Sequence, residues 1–186
     1  MKHLTRDALE AGLGHVQASP DDGGRLEMLV RRPGTDERES LNAGVLDLEN
    51  GLVGDKWRDN AHGLDPAAHR DMQLTVMNAR AAALVAGSRE RWALAGDQLY
   101  IDLDLGHENL PPGTRLQLGE AVIEVTAIPH TGCRKFTARF GADATRLVNS
   151  KEGRRLNLRG INAKVVEPGT VRVGDIARKR QGARSS

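Results

Sequence analysis

The feature that most constrains the fold is a run of residues in the second half of the chain in which apolar and polar side chains alternate. The apolar face carries Ala121, Ile123, Val125 and Ala127, and the opposite face carries Glu124 and Thr126. A two-residue period is that of a β-strand with one face in the core. Gly119-Glu120 joins this strand to residues 116–118 as a tight turn, so the sequence predicts a hairpin.

The same alternation occurs twice more, which predicts a mainly β (β-rich α+β) chain. It places Leu26, Met28 and Val30 on one face of a strand, and later Leu99, Ile101, Leu103 and Leu105. With 21 glycines and 7 prolines the chain has many turns, and aromatic residues make up only 3% of it. A length of 186 residues fits one domain. We expect a closed or nearly closed barrel with a few short peripheral helices.

Few helices are predicted, and each has a recognisable end. The expected helices are Thr5 to Ala11, Ala79 to Ala86 after an Asn78 cap, Cys133 to Phe140 before Gly141, and Ala142 to Val148. Pro129 keeps the residue before it extended, so the preceding strand should end there.

The expected organisation is an N-terminal helix or extension over residues 1–12, the barrel domain over 13–177, and a basic, disordered tail over 178–186. The N-terminus has no signal-peptide core, and no segment approaches the roughly 18 apolar residues of a membrane span. With a single cysteine, a reducing cytoplasm and no membrane partner are expected.

The single cysteine, Cys133, follows the alternating strand in the turn formed by residues 128–133. Its role would come from nucleophilicity or metal affinity, and both require the thiolate. His130, Arg134 and Lys135 lie within three residues of it and favour that form. A small buried hydrophobe is the alternative, but a polar turn at a strand end more often displays a functional group.

Basic residues are concentrated after this turn. Residues 134–164 contain Arg134, Lys135, Arg139, Arg146, Lys151, Arg154, Arg155, Arg159 and Lys164 against only Asp143 and Glu152. Such a run predicts an anionic partner, a phosphate-bearing small molecule or nucleic acid, with a solvated helix face as the alternative. Only Phe136 and Phe140 could stack on bases, so nucleic acid is the weaker choice.

Other kinds of site find little support in the sequence. His130 and Cys133 could share a metal, but no second Cys/His pair completes a structural zinc site. The alternation explains Asp102 and Asp104 as a solvent face. There is neither a nucleophile elbow nor a phosphate-binding glycine loop.

The ordered motifs resemble those of a MOSC domain, the C-terminal domain of molybdenum-cofactor sulfurases. The motifs are 51–55 (GLVGD), 73–78 (QLTVMN), 95–99 (AGDQL), 118–126 (LGEAVIEVT) and the cysteine turn. The resemblance covers roughly residues 13–177. It implies a barrel-like β fold and a function in molybdenum-cofactor or metal-sulfur chemistry. The family includes sulfur-handling domains and reductases of N-hydroxylated compounds that hold the molybdenum pterin.

Carried onto this sequence, the resemblance makes Cys133 the expected molybdenum ligand or persulfide carrier. Asp55 matches the family's Gly-Asp position, and Asn109 partly matches a Gly-Glu-Asn-Leu segment. Trp57 stands where many relatives have histidine, which leaves the ligand roles of His62 and His69 open. The expected cofactor-binding set is Asp55, Asn109, His130, Arg134, Lys135 and Arg159, with Arg154 and Arg155 as further cations for the pterin phosphate.

Two functions follow from the resemblance. The first is a molybdenum-dependent reductase, or a component of one, that acts on N-oxygenated compounds with electrons from a partner protein. The second is a sulfur or cofactor carrier that delivers its cargo to a cofactor-biosynthesis or metal-sulfur cluster protein. The chain has no room for the pyridoxal-phosphate-dependent desulfurase of the sulfurases, and no Schiff-base lysine can be argued, so pyridoxal phosphate is not expected.

Overall fold

The computed structural model describes residues 3–60, 63 and 65–180. Its strands are β1 (Gly24–Arg31), β2 (Glu39–Leu41), β3 (Ala43–Asp47), β4 (Gly51–Leu52), β5 (Leu74–Asn78), β6 (Leu99–Asp102), β7 (Arg115–Leu118), β8 (Ala121–Pro129), β9 (Ile161–Glu167), β10 (Gly169–Arg172) and β11 (Ile176–Arg180). The main sheet has the order β11-β7-β8-β9-β5-β6-β1-β2. Because β1 also pairs with β11, seven strands close into a barrel, as predicted.

The α-helices are short and lie outside the barrel. They are α1 (Arg6–Ala11), α2 (Leu13–Gln17), α3 (Pro66–Arg70), α4 (Ala79–Ala86), α5 (Arg134–Phe140), α6 (Ala142–Asn149) and α7 (Lys151–Arg155), with 3₁₀ segments at Lys56–Asn60 and Arg89–Ala95. None of the described helices is long and apolar enough to cross a bilayer. The four predicted helices are confirmed, but helices are not few: the structure contains about as much helix as strand.

Two apolar clusters share the strands of the barrel. The interior is filled by leucine, isoleucine, valine and alanine side chains such as Leu26, Ile101 and Ile123. The outer cluster lies between the strands and the helices and contains Tyr100 and Phe136. The scarcity of aromatics therefore fits the barrel interior, and the large rings serve the outer layer.

One predicted strand face is wrong. Leu26, Met28 and Val30 were expected to share a face, but the register between β1 and β6 shifts between Leu26 and Met28. As a result Leu26 and Leu29 point into the barrel, whereas Met28 and Val30 belong to the outer cluster. An extra residue at a bulge reverses the faces of everything that follows it.

The β7–β8 hairpin is confirmed and leads directly to the cysteine turn. Leu118 pairs with Ala121 across Gly119-Glu120, and β8 ends at Pro129. The ladder between β8 and β9 is interrupted between Val125 and Pro129, and Ala127, predicted to face the core, is exposed. The two strands separate at this point, which opens space beside the turn.

The expected tail, residues 178–186, begins three residues too early, inside β11. Residues 178–180 pair with residues 115–117 of β7 as part of β11, so this part of the tail belongs to the barrel. Residues 181–186 lie outside the described residues.

Candidate functional site

The cysteine turn is held rigidly from the α6 side. The amide N–H of Gly132 donates to Asn149 Oδ1 at 2.9 Å, and Asn149 Nδ2 donates to Gly132 O at 3.2 Å. A side chain at position 132 would crowd Val148, with its Cβ 3.0 Å from a Val148 methyl, so glycine lets the turn approach α6. Buried Phe136 anchors the helix that follows.

Cys133 itself is exposed, which excludes the buried-hydrophobe alternative. It is the N-cap residue of α5, and its side chain makes no capping hydrogen bond. The thiol therefore sits on a fixed turn with its sulfur open to a ligand, a metal or another protein.

A cluster of basic residues, called the basic cluster below, includes two residues of α5. Its residues come from three parts of the chain. Its residues are Arg32 and Arg38 from the β1–β2 connection, Lys56 from the first 3₁₀ segment, and Lys135 and Arg139 from α5. Lys56 has a lowered pKa because of its burial and because Lys135, Arg38 and Arg32 lie nearby. Burial, Arg139 and Arg32 likewise lower the pKa of Arg38. Cations that lower one another's pKa form a site that favours an anion.

Only part of this positive charge is neutralised. Asp55, whose side chain is buried, accepts two hydrogen bonds from the Arg32 guanidinium at 2.8 Å and one from the Arg32 amide at 2.9 Å. Asp36 accepts from Lys135 Nζ at 3.2 Å and from Arg139 Nη2 at 2.8 Å, but it is exposed. Lys135 and Arg139 also lower the pKa of Asp36. The cluster keeps a surplus of positive charge, and two of its cations, Lys135 and Arg139, follow Cys133 in α5.

A second, buried network lies behind the turn. Arg159 donates through Nη1 to Asp97 Oδ2 at 2.7 Å and through Nη2 to the Ala95 carbonyl at 2.9 Å. The His130 ring approaches the other oxygen of the same carboxylate, with Nδ1 3.4 Å from Asp97 Oδ1. Burial and the nearby Arg159 lower the pKa of His130 to about 3, so the imidazole is neutral at physiological pH. Gly160 lies against the ring with a φ of 114°, where a side chain would collide with the Val76 carbonyl.

A cavity of about 330 Å³ opens where β8 and β9 separate. Val125, Ile128, Val148 and Ile161 contribute apolar walls, and His130 and Arg159 lie in its lining. None of the basic-cluster residues lines it, so the cysteine turn stands between two chemically different surfaces.

The structure divides the predicted cofactor-binding residues among these surfaces. Lys135 belongs to the basic cluster, and Arg134 is exposed beside Cys133. Asp55 supports the cluster through Arg32, whereas His130 and Arg159 belong to the buried network. Asn109 lies in neither: its amide donates to the carbonyls of Asp21 and Asp104, and its oxygen accepts from Lys179.

The basic run of residues 134–164 is not one surface. Its cations pair with different acids: Arg146 with Asp143, Arg155 with Glu152, Arg159 with Asp97, and Lys164 with Asp71. The charge count in sequence therefore overstated the positive patch, because tertiary contacts neutralise much of it. Arg154 lines the cavity, and Arg155 does not.

The residues that sequence reasoning missed are Arg32, Arg38, Lys56 and Asp97. Asp97 stood inside the quoted segment 95–99, and as the only charged residue of that motif it was a usable signal. The three cations had no local signal, since each is an ordinary basic residue in a loop or short helix.

Of the two histidines whose ligand role was left open, His69 has a structural role. The rings of Trp57 and His69 stack 4.2 Å apart, Trp57 Nε1 donates to the His69 carbonyl at 3.2 Å, and His69 Nε2 lies 3.0 Å from the Trp57 carbonyl. These contacts occupy His69 and connect the first 3₁₀ segment to α3. His62 lies outside the described residues.

Comparison with solved structures identifies the fold. The chain superposes on YuaD from Bacillus subtilis with a TM-score of 0.58 and 16% identity, covering 85% of this chain and 97% of that one. YiiM from Escherichia coli gives 0.55 and 20%, covering 86% and 71%. YiiM from Geobacillus stearothermophilus gives 0.53 and 10%, covering 88% and 75%. At these identities the likeness concerns the fold. Among curated proteins no match is found.

The comparison with protein-family models is more specific. The description "MOSC domain" matches residues 58–178, which include the cysteine turn, Asp97 and Arg159 but begin after Asp55. The match covers more than half of the chain and agrees with the order of motifs, the closed barrel and the exposed cysteine. The chain therefore belongs to the MOSC domain family.

Proposed function

We propose that this protein binds a molybdenum pterin cofactor through Cys133 and serves as a reductase, or as a component of one, for N-oxygenated compounds. Electrons would come from a partner protein. The observation that carries the proposal is an exposed thiol on a rigid turn next to a surplus of cations. A soft thiolate suits molybdenum, and the cations suit an anionic cofactor.

The donor set fits a metal that arrives with most of its ligands. Among residues 3–60, 63 and 65–180, no three His, Cys, Asp or Glu side chains are grouped so that they could hold a metal ion. Cys133 can therefore offer a single protein ligand. A molybdenum pterin meets this condition because the pterin supplies its own sulfur ligands. When bound, it would supply the redox chemistry of the reduction.

The residues around Cys133 have distinct tasks in this proposal. Lys135, Arg38 and Lys56 would hold the phosphate of the pterin, since their positive charges are not fully neutralised by Asp36. Asp55 would position Arg32 and would not itself contact the cofactor, because its oxygens are occupied by Arg32 and by the amide of Trp57.

A carrier function is the second candidate, and the exposure of Cys133 supports it. A persulfide that passes to another protein must be reachable by that protein, and Cys133 is exposed. In this case the thiolate would hold sulfur without metal, and the basic cluster would contact the acceptor or its cofactor.

The composition of purified protein separates the two candidates. Protein from a molybdenum-replete host should contain molybdenum and pterin in stoichiometric amounts if the first proposal is correct. A persulfide on Cys133 without metal would favour the carrier. Protein with neither would contradict both.

The change Cys133→Ala should abolish metal retention or sulfur loading and leave the urea unfolding midpoint unchanged, because an exposed side chain contributes little packing. Lys135→Ala should weaken pterin retention, and Lys151→Ala is the matched control because Lys151 is exposed on α7, outside the basic cluster. Full retention of cofactor by Cys133→Ala would overturn the central role of this thiol. Equal losses in the two lysine variants would remove the basic cluster from the proposal.

A further inference from the structure

Three buried atoms in the network behind the turn, Asp97 Oδ1, His130 Nδ1 and Arg159 Nε, have no hydrogen-bond partner. Asp97 Oδ1 and His130 Nδ1 lie 3.4 Å apart. Buried polar atoms are nearly always paired, and His130 Nδ1 has an unpartnered carboxylate oxygen of Asp97 within 3.4 Å. A small rotation of the ring brings them into a hydrogen bond.

The position of the proton follows from this arrangement. If the neutral ring carried its proton on Nε2, the lone pair of Nδ1 would face the lone pairs of Asp97 Oδ1, and both atoms are buried. Placing the proton on Nδ1 turns this repulsion into a donated hydrogen bond. Asp97 therefore selects the Nδ1–H tautomer, and Nε2 is left as an acceptor.

The surroundings keep the ring neutral. The charged groups that face it are Asp97 from the segment before β6, Arg159 from the α7–β9 connection and Arg32 from the β1–β2 connection. Burial is the main cause of the lowered pKa of His130, and two of these three groups are cations that lower it further. The negative charge of Asp97 is already shared with Arg159, so it compensates only part of the cost of a second positive charge.

The cavity provides room for a ligand at this ring. Nδ1 is fully buried, yet the His130 side chain is 17% exposed and lines the cavity, so the exposed part of the ring lies away from Nδ1. Nη1 and Nη2 of Arg159 donate to Asp97 and Ala95, whereas its buried Nε has no partner. Asn157 Nδ2 donates to the Leu105 carbonyl. The remaining lining combines apolar side chains with Thr126, Thr131, His107 and the exposed Arg154.

We infer that this cavity binds a mainly apolar small molecule whose N–H or O–H group donates a hydrogen bond to Nε2 of His130, with Asp97 as the positioning residue that fixes the tautomer. A volume of about 330 Å³ accommodates a bicyclic aromatic molecule. An acceptor-only ligand is rejected, because it would leave Nε2 unpaired. The inference does not depend on which cofactor the protein holds.

The tautomer is tested by ¹⁵N NMR of histidine-labelled protein. Of the six histidines, His130 is identified by its loss in His130→Phe, and it should show a protonated Nδ1 and an unprotonated Nε2 from pH 5 to pH 8. Protonation on Nε2, or titration near pH 6.5, would overturn the inference.

The cavity is tested with a matched pair of probes, indole and 1-methylindole, which differ in their N–H donor. The wild-type protein should bind indole at least about tenfold more tightly, the value of a buried hydrogen bond of about 1.4 kcal/mol. His130→Phe should remove this preference, and His15→Phe, at an exposed histidine of α2, should keep it. Equal affinities in the wild type, or binding of neither probe, would overturn the proposed site.

The variant Asp97→Asn provides a second test of the role of Asp97 in fixing the tautomer. Its amide oxygen can still accept from Arg159 while its NH₂ donates to Nδ1, which moves the ring proton to Nε2. The preference for indole should then be lost. Retention of the full preference for indole in this variant would show that Asp97 does not set the tautomer. If Asp97→Asn does not fold, the tautomer is decided by the wild-type NMR spectrum and the ligand preference by His130→Phe.

Discussion

The two charge networks beside the cysteine turn differ in their access to water. In the network behind the turn the side chains of Asp97 and Arg159 are 0% and 6% exposed, whereas those of Asp36 and Lys135 in front of it are 57% and 58% exposed. A buried pair has no substitute for its partner, while an exposed pair competes with water and ions at little cost. The buried network is suited to holding its side chains in fixed positions. In the exposed network, an anionic ligand can take the place of the Asp36 carboxylate.

The largest expected effect comes from breaking the buried network. Asp97→Ala should lower the free energy of unfolding by about 3–5 kcal/mol, because it leaves the Arg159 charge and the His130 Nδ1 without a partner. Urea denaturation at pH 7 measures this loss. The control is Asp36→Asn in the exposed network, which should leave the unfolding midpoint unchanged because asparagine tolerates the φ of 61° at this position. Comparable midpoints for the two variants would contradict the difference between the networks.

The next effect is a pH dependence that comes from His130. Its folded pKa of about 3 lies below the unfolded value of about 6.5, so between these values the unfolded chain binds the extra proton. This contribution to stability is fully present above about pH 6.5 and is lost as the pH falls toward 3.

From pH 6 to pH 4 the wild type should therefore lose about 2 kcal/mol more unfolding free energy than His130→Gln. Urea titrations of both proteins at the two pH values measure this difference. Parallel losses in the two proteins would show that His130 titrates normally in the folded state.

The smallest effect belongs to the exposed network. Asp36→Asn removes the carboxylate that Lys135 and Arg139 share, so the basic cluster should bind inorganic phosphate more tightly, by about threefold at low salt. Calorimetric titration measures the affinity, and the gain should disappear at high salt. Asp143→Asn, which frees Arg146 on α6 and not the cluster, is the control. An equal gain in the control would indicate a general charge effect.

Much of the local structure could be predicted because its signals lie within a few residues. Asn78 caps α4 by accepting from the amides of Arg80 and Ala81, as its position before an alanine-rich segment indicates. Gly141, with a φ of 92°, ends α5 as expected. The bulge in β1 was not predictable in the same way, because the local alternation of Leu26, Met28 and Val30 continues through it.

Only part of the candidate site could be predicted from the sequence. Cys133 could be identified because a lone cysteine in a polar turn after a strand is informative by itself. Asn109 matched a motif only in part, and its side chain is committed to the loop carbonyls and to Lys179. A motif match gives the residue type at a position, but the partners that occupy its polar atoms come from other segments.

The sequence by itself determined the hairpin, the caps, the barrel class and the family, since these depend on periodicity and on the order of short motifs. Only the tertiary structure decided which charges meet. Arg159 is 62 positions from Asp97, and Lys135 is 99 positions from Asp36, and closure of the barrel brings each pair together. Hydrophobic alternation fixes which faces are buried, but it carries no information on which ionised side chains from distant loops will share one carboxylate. That pairing depends on strand register and on burial. It gives His130 a buried partner in Asp97, and it gives Lys135 an exposed partner in Asp36.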